Sequence, residues 1–446
     1  MQVKQIKIGN FKSLRDAKID LGQFNAIVGE NATGKTNLVD AFILLKKIYV
    51  EHDINPFSYW WGYNNAVWKG KEELPIIFEF YFETKINKKT YTGSFSTVFT
   101  GVGGRFEIVR ESLKIDGILT LEKEGEHLTI KREREYVDKL WEEIKEEKVL
   151  AKKWGAFAAI TISRKSIDVS RKNKLIRQIE KHPTKSIFNV IKREFESIIV
   201  NLPFYELPPK LFPSLESFPS LKREEKLLQD ILCNIYKLIF ETVILKLNSK
   251  EIKRPSPARK EETLLEDGSN LNTVLYNLFL RQNKIPESII SVFSYLFPNI
   301  EIKFSLTDDQ RVYLRVFENG LELPPPCIAD GLYKILAILT ALELKPSILI
   351  IDELENSIHP RALEYIFDEF RNSESIVIIT THSPVIVDMT DLKDLILVEK
   401  VMGETHFKRL KRPEDVKKRL KKAGITYSEG WLYGHLKGTC QNMLKN

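Results

Sequence analysis

Cysteine is nearly absent from this chain of 446 residues: Cys233, Cys327 and Cys440 lie far apart and form no CxxC pair. That excludes a disulfide scaffold and a zinc site or zinc hook built from paired thiolates. Long apolar runs are missing too. None approaches the roughly 18 residues needed to cross a bilayer. The start, MQVKQIKIGNF, alternates like a strand and lacks the continuous apolar stretch of a secretory signal. Sustained heptads are absent, so no long coiled-coil arm is encoded. Nor is there a strong excess of charge. The 68 basic and 61 acidic residues leave +7, which permits a nucleic-acid partner without demanding one. These absences predict a cytoplasmic protein with no membrane partner.

What is present is enough to build a core. Hydrophobic residues make up 43% of the chain, and its length predicts two lobes or one lobe with a large insertion. Residues 1–50 read strand, turn, strand, loop, helix. Phe24–Val28 is a short apolar strand, and Leu38, Ala41, Phe42, Leu45 and Ile48 then repeat at helical spacing. From Leu74 to about Ile130 apolar and polar residues alternate, as in IIFEFYFE, which predicts antiparallel sheet. Ile187–Val200 and Lys222–Leu247 carry helical periodicity, with a Pro- and aromatic-rich connector between them. Ser347–Ile351 and Ser375–Thr380 read as apolar strands, and Pro360 to about Phe370 as a helix started by proline. That is a βαβ unit, so its two strands should be parallel neighbours.

Three motifs carry chemistry. Gly29-Glu30-Asn31-Ala32-Thr33-Gly34-Lys35-Thr36, followed by Asn37, fits GxxxxGK[ST]. In such a loop successive backbone N–H groups face one anion and the next helix adds its positive end. Lys35 would reach the β- and γ-phosphates of ATP, and Thr36 would ligate Mg2+. Ser347–Glu353 is an apolar strand ending in two acids, which belong at the carboxyl edge of a sheet. Asp352 would hold the metal and Glu353 would polarise the attacking water. Thr380-Thr-His382-Ser-Pro ends the next strand. A lone histidine is more often structural, but His382 at the same sheet edge suits a sensor of the γ-phosphate. The loop near residue 30 and the acids near 352 are too distant for a simple one-domain P-loop protein, so two sequence-distant halves must share one sheet.

With these residues in view, the chain resembles the ABC-type ATPases of the RecF and SMC class, especially single-chain AAA-family ATPases related to the OLD nucleases. IGNFKSL, GENATGKTNLVDAF, LLEDGSNL, LIIDELENSIHP and ITTHSP carry the resemblance, over roughly residues 1–50 and 262–390. It implies an α/β fold: an ABC-type P-loop ATPase head with a mixed central sheet, an attached antiparallel β segment and a helical insertion. The expected domains are 1–165, the N-terminal half of the head with the β-rich segment; 166–261, the helical insertion; and 262–446, the C-terminal half with a basic tail. It also implies ATP clamped between two copies, each offering a signature loop to the other's γ-phosphate. Here that loop is Ala329-Asp330-Gly331, with alanine where the family has serine. Lys12 and Ser13 match family positions that approach the phosphates, and Glu355–His359 the loop that crosses the dimer interface.

Only about 60 residues follow His382, without a second cluster of paired acids, so no appended nuclease domain is expected. Lys408–Lys422 holds nine basic residues and two acids. It reads either as a phosphate-backbone contact or as a solvated basic helix, and missing aromatics favour the latter. Two functions remain. One is a hydrolysing ATPase, homodimeric with ATP, acting in DNA maintenance, repair or antiphage defence. The other is a slow nucleotide-gated module that regulates a separate effector protein.

Overall fold

The computed structural model describes residues 1–86, 88–124, 127–132, 167–168, 230–231, 234, 237–238 and 241–436. The chain divides into two compact units: residues 1–18 with 47–240, and residues 19–46 with 241–446.

The first unit is built on an antiparallel sheet. Its strands are β1 (Gln2–Phe11), β2 (Leu14–Asp20), β4 (Ile76–Ile86), β5 (Lys89–Thr100), β6 (Glu107–Ile115), β7 (Leu119–Glu124), β8 (His127–Arg132) and β9 (Ile167–Asp168). They lie in the order β2-β1-β4-β5-β6-β7-β8-β9. The alternation in IIFEFYFE decides which face is buried: Ile76, Phe78, Phe80 and Phe82 point inward. Each such side chain contributes about 1.5–3 kcal/mol by leaving water. The same face holds one polar cluster. Tyr49 Oη donates to Glu111 Oε1 at 2.7 Å and meets Thr97 Oγ1 at 2.8 Å, all three being fully buried.

The second unit carries the parallel sheet. Its strands are β3 (Phe24–Val28), β10 (Thr242–Leu245), β15 (Ile348–Ile351), β16 (Ile376–Thr381), β17 (Leu395–Val401) and β18 (Glu404–Arg409). Their order is β10-β15-β16-β3-β17-β18. The first five run parallel, and only β17–β18 is antiparallel. Every residue of β3, β10, β15 and β16 is buried, as expected for parallel strands covered on both faces. A smaller antiparallel sheet holds β11 (Ser256–Pro257), β12 (Ile300–Leu306), β13 (Arg311–Glu318) and β14 (Leu321–Leu323).

Helices α1 (Lys35–Tyr49), α2 (Leu271–Gln282), α3 (Glu287–Leu296), α4 (Asp330–Glu343), α5 (Pro360–Asn372), α6 (Pro384–Met389), α7 (Pro413–Ala423) and α8 (Tyr427–Leu432) complete the elements used below. Residues 332–341 of α4 are all buried, so this helix lies inside the core of its unit. On α5, Leu363, Ile366, Phe367 and Phe370 make one apolar stripe, and Phe24 of β3 packs on both phenylalanines with ring centroids 5.2 and 5.8 Å away.

The predicted βαβ unit is β15–α5–β16, and its strands are parallel neighbours in register Ile348↔Ile376 to Ile351↔Ile379. The reading of 222–247 as helix fails at its end. Thr242–Leu245 is a strand beside β15, because TVIL is a β-branched apolar run and four buried residues fit a sheet edge equally well. The expected helical insertion 166–261 lies outside the described residues for most of its length.

Candidate functional site

Parallel strands in register bring their carboxyl ends to one edge. Leu245 pairs with Ile351, Ile351 with Ile379, and Thr381 with Val28. Four adjacent strands therefore deliver, in order, Lys246, Asp352–Glu353, His382 and the Gly29–Thr36 loop to the same edge. Open α/β sheets bind their ligands at this edge.

The loop is tied from several sides. Gly29 is obligatory by close approach: a Cβ there would lie 2.8 Å from the Val398 carbonyl oxygen and 2.8 Å from Thr33 Oγ1. Ala32 adopts φ 63°, a left-handed backbone that a small residue tolerates. Thr33 Oγ1 donates to the Glu30 carbonyl, and Thr405 Oγ1 of β18 donates to the Thr33 carbonyl, both at 2.8 Å. Asn37 N–H donates to the Gly34 carbonyl at 3.1 Å in the first turn of α1. Glu30, Asn31, Ala32 and Thr36 face solvent, while Lys35 is buried. Its ammonium donates to the carbonyls of Gly29 (2.8 Å) and Glu30 (2.9 Å). Burial lowers the Lys35 pKa, and the nearby carboxylates of Glu355, Asp352 and Glu353 oppose that fall.

Asp352 and Glu353 sit immediately after β15. Burial raises the Asp352 pKa above the ordinary aspartate value, opposed chiefly by the hydroxyl of Thr380, which donates to Asp352 Oδ1. The same Thr380 oxygen accepts the Glu353 N–H at 2.9 Å. One buried threonine thus fixes both acids. Glu353 has φ 51° and an exposed side chain, and it accepts from Asn356 Nδ2 at 2.7 Å. Lys246 forms an ion pair with buried Asp40 of α1 at 3.1 Å. A cavity of about 170 Å³ beside these groups is lined by Lys246, Lys334, Asp352, Glu353 and Asn356 among others.

The Ala329-Asp330-Gly331 loop opens α4. Asp330 pairs with Lys253 at 2.6 Å, and Lys253 also donates to the Ile328 carbonyl at 2.6 Å. Gly331 lies against the following loop: a Cβ there would meet the Ser357 carbonyl oxygen at 2.4 Å. Lys334 of α4 donates to the Asn356 carbonyl at 2.9 Å.

Lys12 and Ser13 belong to the first unit. Lys12 has φ 49°, its N–H donates to the Ala66 carbonyl at 2.8 Å, and its ammonium lies 5.3 Å from the Trp60 ring centre. Ser13 is buried. The basic stretch 408–422 splits between β18 and α7. Arg409 is used internally, donating to the carbonyls of Asp20 and Lys393 and to Asn25 Oδ1.

Sequence reasoning did not single out Thr380, Lys246 or Asp40 as site residues. Thr380 was legible as the penultimate residue of the strand that precedes His382. Lys246 was hidden because its strand was read as helix. Asp40 needed the fold, since it sits mid-helix with no motif around it.

A parallel sheet with a GxxxxGKT loop, paired acids and a histidine at neighbouring strand ends is the arrangement of an AAA-type ATPase domain. The chain belongs to the family described as "AAA domain, putative AbiEii toxin, Type IV TA system", whose model matches residues 24–388. No curated protein matches it. Among solved structures, it is similar to an SMC head bound to the C-terminal winged-helix domain of ScpA: 12% identity, 93% of this chain and 100% of that one covered, TM-score 0.49. It is also similar to an SMC head with an extended coiled coil bound to the C-terminal domain of ScpA from Pyrococcus furiosus (13%, 94% and 99%, TM-score 0.43). A third is the SMC head domain from Thermotoga maritima (14%, 92% and 100%, TM-score 0.40). Among the described residues no helix is long and apolar enough to cross a membrane.

Proposed function

We propose that this chain binds ATP with Mg2+ at the Gly29–Thr36 loop and hydrolyses it, closing as a homodimer around the nucleotide, in DNA maintenance, repair or antiphage defence. The observation that carries this reading is the delivery of loop, acids and histidine to one sheet edge by adjacent parallel strands. The family's description as a putative toxin of a type IV TA system supports the defence role.

The residues fit the nucleotide and the metal. The Lys35 ammonium, now bonded to two loop carbonyls, is the charge that would turn to the β- and γ-phosphates. Thr36 offers an exposed hydroxyl, and Asp352 a carboxylate with one oxygen held by Thr380. These two would hold magnesium, and such sites leave the remaining positions to phosphate oxygens and water. When bound, the metal supplies charge neutralisation on the β- and γ-phosphate oxygens. Glu353 would accept a proton from the attacking water, and His382 would contact the γ-phosphate. Ala329, Asp330 and Gly331 would present the amino end of α4 to the nucleotide of a second copy.

The alternative is a slow nucleotide-gated module that regulates a separate effector. One observation favours it: Ala329 caps α4 without a side-chain hydrogen bond, where serine would offer one to the phosphate.

Glu353→Gln tests the leading reading. It should keep ATP bound and reduce phosphate release at least a hundredfold. In sedimentation it should be a dimer with ATP and magnesium and a smaller species with ADP. If the wild type releases no phosphate, with or without DNA, the regulatory reading replaces hydrolysis. A variant that binds ATP but never changes mass rules out the clamp.

A further inference from the structure

Glu355 lies two residues beyond the acid pair, on the loop that leaves β15. Its side chain is 13% exposed. Oε1 accepts the His382 main-chain N–H at 2.8 Å and lies 3.1 Å from His382 Nδ1. Oε2 is buried and has no hydrogen-bond partner among the described residues. A carboxylate can only accept. A bare Nδ1 lone pair facing it would repel, so the contact is attractive only with a proton on Nδ1. The histidine on this loop makes the opposite contact. His359 Nδ1 accepts the Arg361 N–H at 3.2 Å, so that nitrogen carries no proton.

We propose that Glu355 is a positioning residue that holds a proton on His382 Nδ1, and so leaves Nε2 as the ring atom offered to the nucleotide's γ-phosphate or its attacking water. The half of this statement that concerns the nucleotide rests on the ATPase reading above; the placement of the proton does not. Two further observations agree. His382 is 42% exposed and can be reached by a ligand. A buried carboxylate oxygen without a partner is unfavourable, so Glu355 is not explained by stability alone. Glu355 is also the carboxylate that most supports the Lys35 ammonium, so its charge faces the phosphate loop.

The test uses the full chain with 15N-labelled histidines, at pH 8 and without nucleotide. The seven histidines are assigned by substitution, and ring-nitrogen shifts identify which nitrogen is protonated. His382 should carry its proton on Nδ1, and His359 on Nε2. Glu355→Ala should move His382 to the Nε2–H form that free imidazole favours in water. Glu355→Gln should keep the Nδ1 proton, because its carbonyl oxygen can accept both contacts. A wild-type His382 protonated on Nε2 alone overturns the proposal even if no variant folds. So does a His382 tautomer that ignores Glu355→Ala.

ATP turnover provides the second arm. Glu355→Ala should lower kcat about tenfold to a hundredfold with KM within about twofold. It should add little to the loss already present in His382→Ala, because coupled residues are not additive. Full additivity overturns the coupling. If the wild type proves not to hydrolyse ATP, the function proposed above fails, while the tautomer measurement still decides the role of Glu355.

Discussion

Two glycine-bearing loops of the second unit, Gly29–Thr36 and Ala329–Gly331, lead into helices and are held differently. Around Gly29–Thr36 the backbone curls, Ala32 is left-handed, and Lys35 satisfies the carbonyls that curling turns inward. Around Ala329–Gly331 the backbone is ordinary, and Gly331 is needed because the Ser357 carbonyl packs on it within the same chain. The first loop curls around its own lysine, which is the arrangement the proposed phosphate site needs. The second is held by its own neighbours, Lys253 and the Asn356–Ser357 loop. A substitution at Gly331 therefore does not test a partner's phosphate alone.

The largest expected effect breaks the second loop. In Gly331→Arg the Ser357 backbone must move, which should cost about 1–3 kcal/mol or more of stability in a urea titration. Full wild-type stability with loss of the ATP-dependent dimer would show instead that only the partner's nucleotide needs this glycine.

Next comes the first loop. Lys35→Ala should weaken ATP binding by about 1.5–3 kcal/mol, roughly ten- to 150-fold in Kd by calorimetry. A value within about twofold of wild type would remove the phosphate-loop assignment. Burial lowers the Lys35 pKa from its ordinary 10.5. Wild-type affinity should therefore fall on raising the pH while an exposed lysine would still be charged.

A smaller effect is expected at the lysine that ties the second loop. Lys253→Met should cost about 1 kcal/mol, by loss of the donor to the Ile328 carbonyl and of a half-exposed ion pair. The hydrogen bond from Lys253 holds the Asp330 pKa below its ordinary 3.8. A depressed carboxylate stabilises the fold above its unfolded pKa and ceases to as pH falls through the folded one. The stability gap between wild type and variant should thus be present at pH 7 and narrow below pH 3.8. A gap constant down to pH 2 would mean that the pair contributes nothing.

The smallest effect tests what serine would add. Ala329→Ser gives α4 a capping hydroxyl and should raise stability by about 0.5–1 kcal/mol. If the clamp is limited by this position, phosphate release should rise with it. A more stable protein with unchanged turnover would separate capping from catalysis.

Much of the site was legible because each motif is local. The glycine spacing of residues 29–34, the apolar run into Asp352 and the strand before His382 each announce an element and its end. The β-rich segment was legible because alternation has a period of two. Less legible were residues whose role depends on a distant partner. Asn25 sits in the apolar strand FNAIV as if misplaced. It is fully buried and satisfied by Gly22, by the Val377 carbonyl and by Arg409. Arg409 was read within a basic stretch facing solvent, yet it closes that network. Four-residue TVIL, at the end of a helical pattern, became an edge strand because β15 offered it a ladder.

By itself, then, the sequence placed the loop, the acids and the histidine at strand ends, and determined that the two ends of the chain share one sheet. Local spacing encodes local backbone, and an apolar strand must end where charge begins. Only the tertiary structure decided that Lys246 and Asp40 pair beside Asp352. It alone showed that one threonine fixes both acids, that Gly331 serves its own chain's loop, and that Glu355 grips His382. Those contacts join residues from 26 to 206 positions apart, and no periodicity in a sequence spans such distances. The order and register of the parallel strands bring them together.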